Sequence, residues 1–128
     1  MAINDERLRE WIRIVSAVPG VEMDGDALVD DIVLIAHVFD DPQRFETAMS
    51  QIVNSLNLIV KKRDMGAELK SNLSAWRCFH FQSRRTAKHP ADLRIVYQDT
   101  GAAIRVRGFG HRWLPDDIYR RLYLHERQ

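Results

Sequence analysis

Residues 93–112, LRIVYQDTGAAIRVRGFGHR, constrain the fold more than any other stretch. Leu93, Ile95 and Tyr97 alternate with Arg94, Val96 and Gln98. After DTG at 99–101, Ile104, Val106 and Gly108 alternate with Arg105, Arg107 and Phe109. Period-two alternation on both sides of a glycine-containing turn is the pattern of a β-hairpin. Two strands alone are marginal in water, so other elements must cover the apolar side. The remaining positions carry one sign of charge: Arg94, Arg105, Arg107, His111 and Arg112, with Asp99 in the turn as the only acid. These arginines cannot enter a core, so they are expected on the uncovered face of the sheet.

The covering elements lie upstream. Residues 4–18 read as a helix, with Asn4 or Asp5 as cap and Leu8, Trp11, Ile12 and Val15 at helical spacing. Pro19–Gly20 stops it, and VEMDGD follows as a loop. Asp26 is the expected cap of a second helix to about Phe39, with Leu28, Ile32 and Ile35 inward. Asp41 and Pro42 open a third, to about Lys62, along Phe45, Met49, Ile52, Val53 and Leu56. Residues 67–74, AELKSNLS, read as a short turn or loop, WRCFHF (76–81) as a strand, QSRRTAKHP (82–90) as a basic loop, and DIYRRLYLHER (117–127) as a last helix. The order predicts an α+β fold: N-terminal helices packed on one face of a small antiparallel sheet, then a C-terminal helix.

The 128 residues suit a single domain over 1–128. The polar N-terminus, the single cysteine (Cys78) and the lack of a long apolar run predict a cytoplasmic protein with no membrane span and no disulfide. Net charge is +1, but it is unevenly spread: −7 over 1–60, +2 over 61–76 and +6 over 77–128. A basic half suggests a face that meets a polyanion, unless the two halves neutralise each other across the fold.

The residues offer no serine nucleophile in a GxSxG setting and no phosphate-cradling glycine loop. The five histidines (37, 80, 89, 111 and 125) lack metal-ligand spacing. Asp24, Asp26, Asp30 and Asp31 lack the calcium-loop pattern and read as caps and solvated surface. What remains is arginine, histidine and tyrosine on a sheet, a set that suits a phosphodiester. Guanidinium binds phosphate oxygens and a developing phosphorane, and RNA brings its own 2′-OH nucleophile, so no metal or other cofactor is required. The same residues also serve phosphate binding without cleavage. Each has a structural alternative: Arg94 paired with Asp99 or Asp117, Tyr119 packed at a helix start, His111 bonded to loop backbone.

HPADLRIVYQDTGAAIRVRGFGHRWLPDDIYRRL (89–122) resembles the C-terminal half of RelE/ParE superfamily toxins of bacterial toxin–antitoxin modules, and GAELKSNLSAWRCFHF (66–81) resembles the segment before it. The similarity spans about half to three-fifths of the chain. It implies a RelE-like fold and, in the mRNA-cleaving branch, a ribosome-dependent endoribonuclease that inhibits translation. Arg94 would then grip the scissile phosphate, Arg112 would stabilise the phosphorane or protonate the leaving 5′-oxygen, and Tyr119 would orient or stack a base. The family's strand lysines are missing here, leaving His111 or His80 as proton carrier. Arg77, His80, Arg84, Arg85, Lys88, Arg105 and Arg107 would contact RNA. The implied partners are a cognate antitoxin and mRNA on the ribosome, with a homodimer left open. The rival readings are a ParE-like gyrase inhibitor and a binding module without catalysis. Family members begin with a strand and a helical hairpin. Here residues 1–40 read as a helical, acidic extension able to pack over the basic sheet or dimerise.

Overall fold

A computed structural model describes residues 2–69, 75–114 and 117–124, with the side chains of 120, 123 and 124 left aside. The predicted apolar stripes become three helices. α1 (Asp5–Ser16) starts at Asn4, whose side chain accepts from the Arg7 N–H, and buries Leu8, Trp11 and Val15. α2 (Gly25–Val38) is capped by Asp24, not Asp26: the Asp24 carboxylate accepts from the Ala27 N–H at 3.0 Å. α3 (Pro42–Lys61) starts at Asp41 with Pro42 in its first turn and buries Phe45, Met49, Ile52, Leu56 and Ile59.

The stretch expected as the loop VEMDGD contains a strand, β1 (Val21–Met23), too short for any periodicity to be read. It pairs in parallel with β5 (Ile104–His111), Val21 opposite Ile104, and the Ile104 N–H also donates to the Gly20 carbonyl at 2.8 Å. The sheet is therefore mixed rather than antiparallel. β2 (Ala67–Glu68), β3 (Arg77–Phe81) and β4 (Leu93–Asp99) complete the order β1-β5-β4-β3-β2, all pairs but the first antiparallel. Residues 70–74 of the expected turn lie outside the described residues. So do 125–128 at the end of the last helix, α4 (Ile118–Leu124).

Two cores sandwich the sheet. On one side α1, α2 and α3 pack on Leu93, Ile95, Tyr97, Ile104, Val106 and Phe109. On the other, Ile118 and Leu122 of α4 pack on Trp76, Cys78 and Val96. The face expected to be open is thus partly roofed by α4. The first helix of the acidic N-terminal stretch, α1, does not lie over the arginines: it packs among α2 and α3, where Glu46 accepts from Arg7 and, at 2.9 Å, from the Trp11 indole N–H.

β5 carries a bulge. Val96 faces Gly108 but Tyr97 faces Val106, so Arg107 is the extra residue. Before the bulge, Ile104 and Val106 face the three helices; beyond it, Phe109 and His111 do. Arg105, Arg107, Gly108 and Gly110 fall on the α4 side. Gly110 leaves room for α4, since a Cβ there would lie 2.5 Å from Nη2 of Arg121.

Beyond β1, the outer edge of β5 is closed by Asp31 of α2. This residue, read as solvated surface, is fully buried. One carboxylate oxygen accepts from the Phe109 N–H at 2.9 Å and the other faces Nη1 of Arg121 at 3.3 Å, tying α2, β5 and α4 together.

Candidate functional site

The bulge and the α4 roof bring Arg94, Arg112, Tyr119, His80 and Cys78 together. His80 is the cross-strand neighbour of Arg94, and Arg94 faces Gly110. Tyr119, in the first turn of α4, places its hydroxyl 2.9 Å from the Cys78 sulfur. The guanidinium of Arg112 sits over the Tyr119 ring at 5.5 Å and near the Trp113 ring at 5.6 Å.

Among the described residues, no carboxylate pairs with Arg94 or Arg112. Neither expected carboxylate pairs with Arg94: Asp99 holds Arg63 at 2.9 Å, and Asp117 caps α4 by accepting from the Tyr119 N–H at 2.9 Å. Nη1 of Arg94 instead donates to the carbonyls of Ala91 and Leu93. Among the described residues, the buried Nε atoms of Arg94 and Arg112 have no hydrogen-bond partner. Arg94 is only 6% exposed, so it acts on the site mainly through its field, whereas Arg112 is half-buried.

The titratable neighbours follow from these surroundings. Partial desolvation, then the charges of Arg94 and Arg112, lower the pKa of His80, so its imidazole is neutral at neutral pH and able to take a proton. Burial, then the Cys78 contact, push Tyr119 up to about 12. Burial likewise raises the Cys78 thiol, so both groups of this contact keep their protons.

The remaining predicted residues divide. Arg105 and Arg107 lie over the buried Trp76 ring at 5.8 and 5.3 Å, on the α4 side. Arg84, Arg85 and Lys88 are exposed in the loop after β3. Arg85 and His80 also line a groove of about 520 Å³ between α3 and β3, with Asn54, Phe79, Phe81 and Gln82. Arg77 lies elsewhere: it faces Tyr97 on the helix side and donates to the carbonyls of Asp64, Met65 and Gly66. His111 is also on the helix side, near Phe39, and its Nδ1 accepts the N–H groups of Trp113 and Leu114, both at 3.1 Å. It shapes the turn after β5 rather than joining the arginines. Of the two histidines considered as proton carrier, the geometry brings only His80 to the cluster.

Sequence reasoning passed over Cys78 as a contact, Trp113 as an exposed ring, and a Ser–His–Asp cluster in the basic loop. Ser83 Oγ donates to Asp92 at 2.7 Å, and Nε2 of His89 lies 3.1 Å from Ser83 Oγ and 3.2 Å from Asp92. A nucleophilic triad uses both imidazole nitrogens, one for serine and one for the acid. Here one nitrogen meets both, and Ser83 is fully buried. The cluster clasps the loop and, through Arg44 at 3.0 Å, fastens it to α3.

No protein-family model, no curated protein and no solved structure matches this chain. Among the described residues no helix is long and apolar enough to cross a membrane.

Proposed function

We propose that the α4 side of the sheet binds the phosphodiester backbone of RNA and cleaves it through the substrate's own 2′-OH. The observation that carries this is the placing of two guanidinium groups that no described carboxylate pairs, Arg94 and Arg112, beside a neutral histidine, His80. The 2′-oxygen attacks phosphorus and gives its proton to His80. Arg112, with the field of Arg94, stabilises the phosphorane. The bond to the 5′-oxygen breaks, that oxygen takes a proton from the Tyr119 hydroxyl, a 2′,3′-cyclic phosphate is left, and solvent returns a proton to Tyr119 as His80 gives up its own. The chain from 21 to 124 runs strand, helical hairpin, antiparallel strands, helix, the order implied by the likeness to RelE/ParE toxins, with α1 placed before it. This supports a toxin acting on mRNA at the ribosome, its basic face covered by an antitoxin.

The burial of Arg94 favours a second reading, a family-like protein that binds its target, such as DNA gyrase, without cleaving nucleic acid. Induced expression in a bacterial cell decides between them, comparing wild type with Arg112→Ala and mapping mRNA 5′ ends. Growth arrest with new cuts inside translated codons, lost in the variant, supports cleavage. Arrest without cuts supports the second reading, and absence of arrest refutes toxicity.

A further inference from the structure

Among the described residues, Trp113 is the most exposed of the large apolar side chains, at 54%, and Leu114 beside it is 52% exposed. A large ring left in water needs an explanation when the chain holds it there. The position is held: the N–H groups of Trp113 and Leu114 both donate to the His111 ring, and the Arg112 guanidinium lies over the Trp113 and Tyr119 rings, 5.6 and 5.5 Å from their centroids. A guanidinium stacked on aromatic faces keeps its N–H donors in its own plane, free for an anion at the edge. The outer face of the indole thus adjoins a phosphate-binding edge, and none of the described carboxylates pairs with Arg112.

We infer that Trp113 is a stacking platform for a nucleobase of a single-stranded RNA whose phosphate is held at Arg112. The inference rests on the RNA reading above and adds a specificity-determining residue that touches the base and takes no part in the chemistry. Stacking on an indole tolerates any base but demands one, because an abasic strand offers only charge. Base selectivity at this position is then weak, and preference for unpaired strands strong, since a base in a duplex has no free face to offer.

The test uses the full chain and two probes that cannot be cleaved: a mixed-sequence 2′-O-methyl RNA oligomer and an abasic phosphodiester strand of equal length. Trp11 and Trp76 are each 8% exposed, so quenching of tryptophan emission by a base reports chiefly on Trp113. Wild type is expected to bind the base-bearing strand about tenfold more tightly than the abasic one, with quenching. Trp113→Ala removes the difference, weakening the base-bearing strand far more than the abasic one, and Trp113→Phe restores most of it. Arg112→Gln weakens both strands. Equal affinity of wild type for the two strands, or a Trp113→Ala variant that still distinguishes them, overturns the platform while leaving phosphate binding intact and turns Trp113 and Leu114 into a protein-docking patch. Failure of either strand to bind wild type, or indifference of both to Arg112→Gln, overturns the RNA reading and the platform with it.

Discussion

Replacing Asp31 by alanine tests how the roof of the site is fastened. The carboxylate is fully buried and serves the Phe109 N–H and Arg121, itself 6% exposed. Its removal leaves a buried guanidinium without its counter-charge, a loss of about 3–5 kcal/mol when one partner of a buried pair is deleted. The orphaned N–H overlaps with that figure rather than adding fully, so about 4 kcal/mol is expected. A chain of 128 residues has roughly 6–19 kcal/mol in total, so the variant still folds but loses a large share of its stability. In urea, at a slope of about 2 kcal/mol per M, the midpoint drops by about 2 M. Asp31→Asn, which keeps an acceptor for Phe109, falls between. The double variant Asp31→Leu/Arg121→Met exchanges the pair for apolar volume and recovers most of the loss. A midpoint for Asp31→Ala within about 0.5 M of wild type, or a double variant no better than the single, would refute this account. Because α4 also carries Tyr119, RNA cleavage should fall with stability in the single variant and return in the double.

Three further outcomes follow from the same geometry. His80→Ala should slow cleavage by about 10²–10⁴-fold, the usual worth of a general base. In wild type the rate should fall with pH only below 6.5, since the histidine's native pKa is lowered; a fall beginning above that value contradicts the role. His111 must be unprotonated to accept two backbone N–H groups, and partial burial, against the opposing pull of Asp92, lowers its pKa. The unfolded chain then binds the proton first as pH falls, so stability is full above 6.5 and declines from there toward the lower native value. Urea midpoints across that window should decline less in His111→Phe than in wild type. Gly66→Ala should cost about 2 kcal/mol or more, measured by thermal unfolding: φ is +77°, and the added Cβ would lie 2.1 Å from the Cys78 carbonyl oxygen, backbone that cannot move aside.

The helices were legible because their signals are local. Asn4, Asp41 and Pro42 cap or open helices where the sequence places them, and the apolar stripes of all three face one core. β1 was not legible, because three residues carry no period and its pairing with β5 is set by a contact 83 positions away, Val21 with Ile104. Asp31 was misread for a similar reason: nothing beside it in the chain announces that an unpaired edge of β5 lies over it. In the site, the residue types Arg94, Arg112 and Tyr119 were legible from the hairpin and the likeness to RelE/ParE toxins. The choice between His80 and His111 was not, since strict alternation puts His111 with Arg105 and Arg107, and only the bulge separates them.

That bulge also gives the hairpin one residue of slack. Strand faces are assigned by counting, and Arg107 is the one residue that resets the count. A substitution at 107 leaves the count alone, so the neighbours should keep their faces. A deletion of one residue between 105 and 108 would remove the extra residue, straighten β5 and leave Phe109, His111 and Arg112 on their present faces. A strand of unchanged length without the bulge would instead turn Arg112 toward the apolar layer and Phe109 and His111 away from it. Among natural variants of this hairpin, changes of side chain at 107 should be common, and loss of one residue between Val106 and Phe109 should be tolerated wherever the spacing from Phe109 to Arg112 is kept.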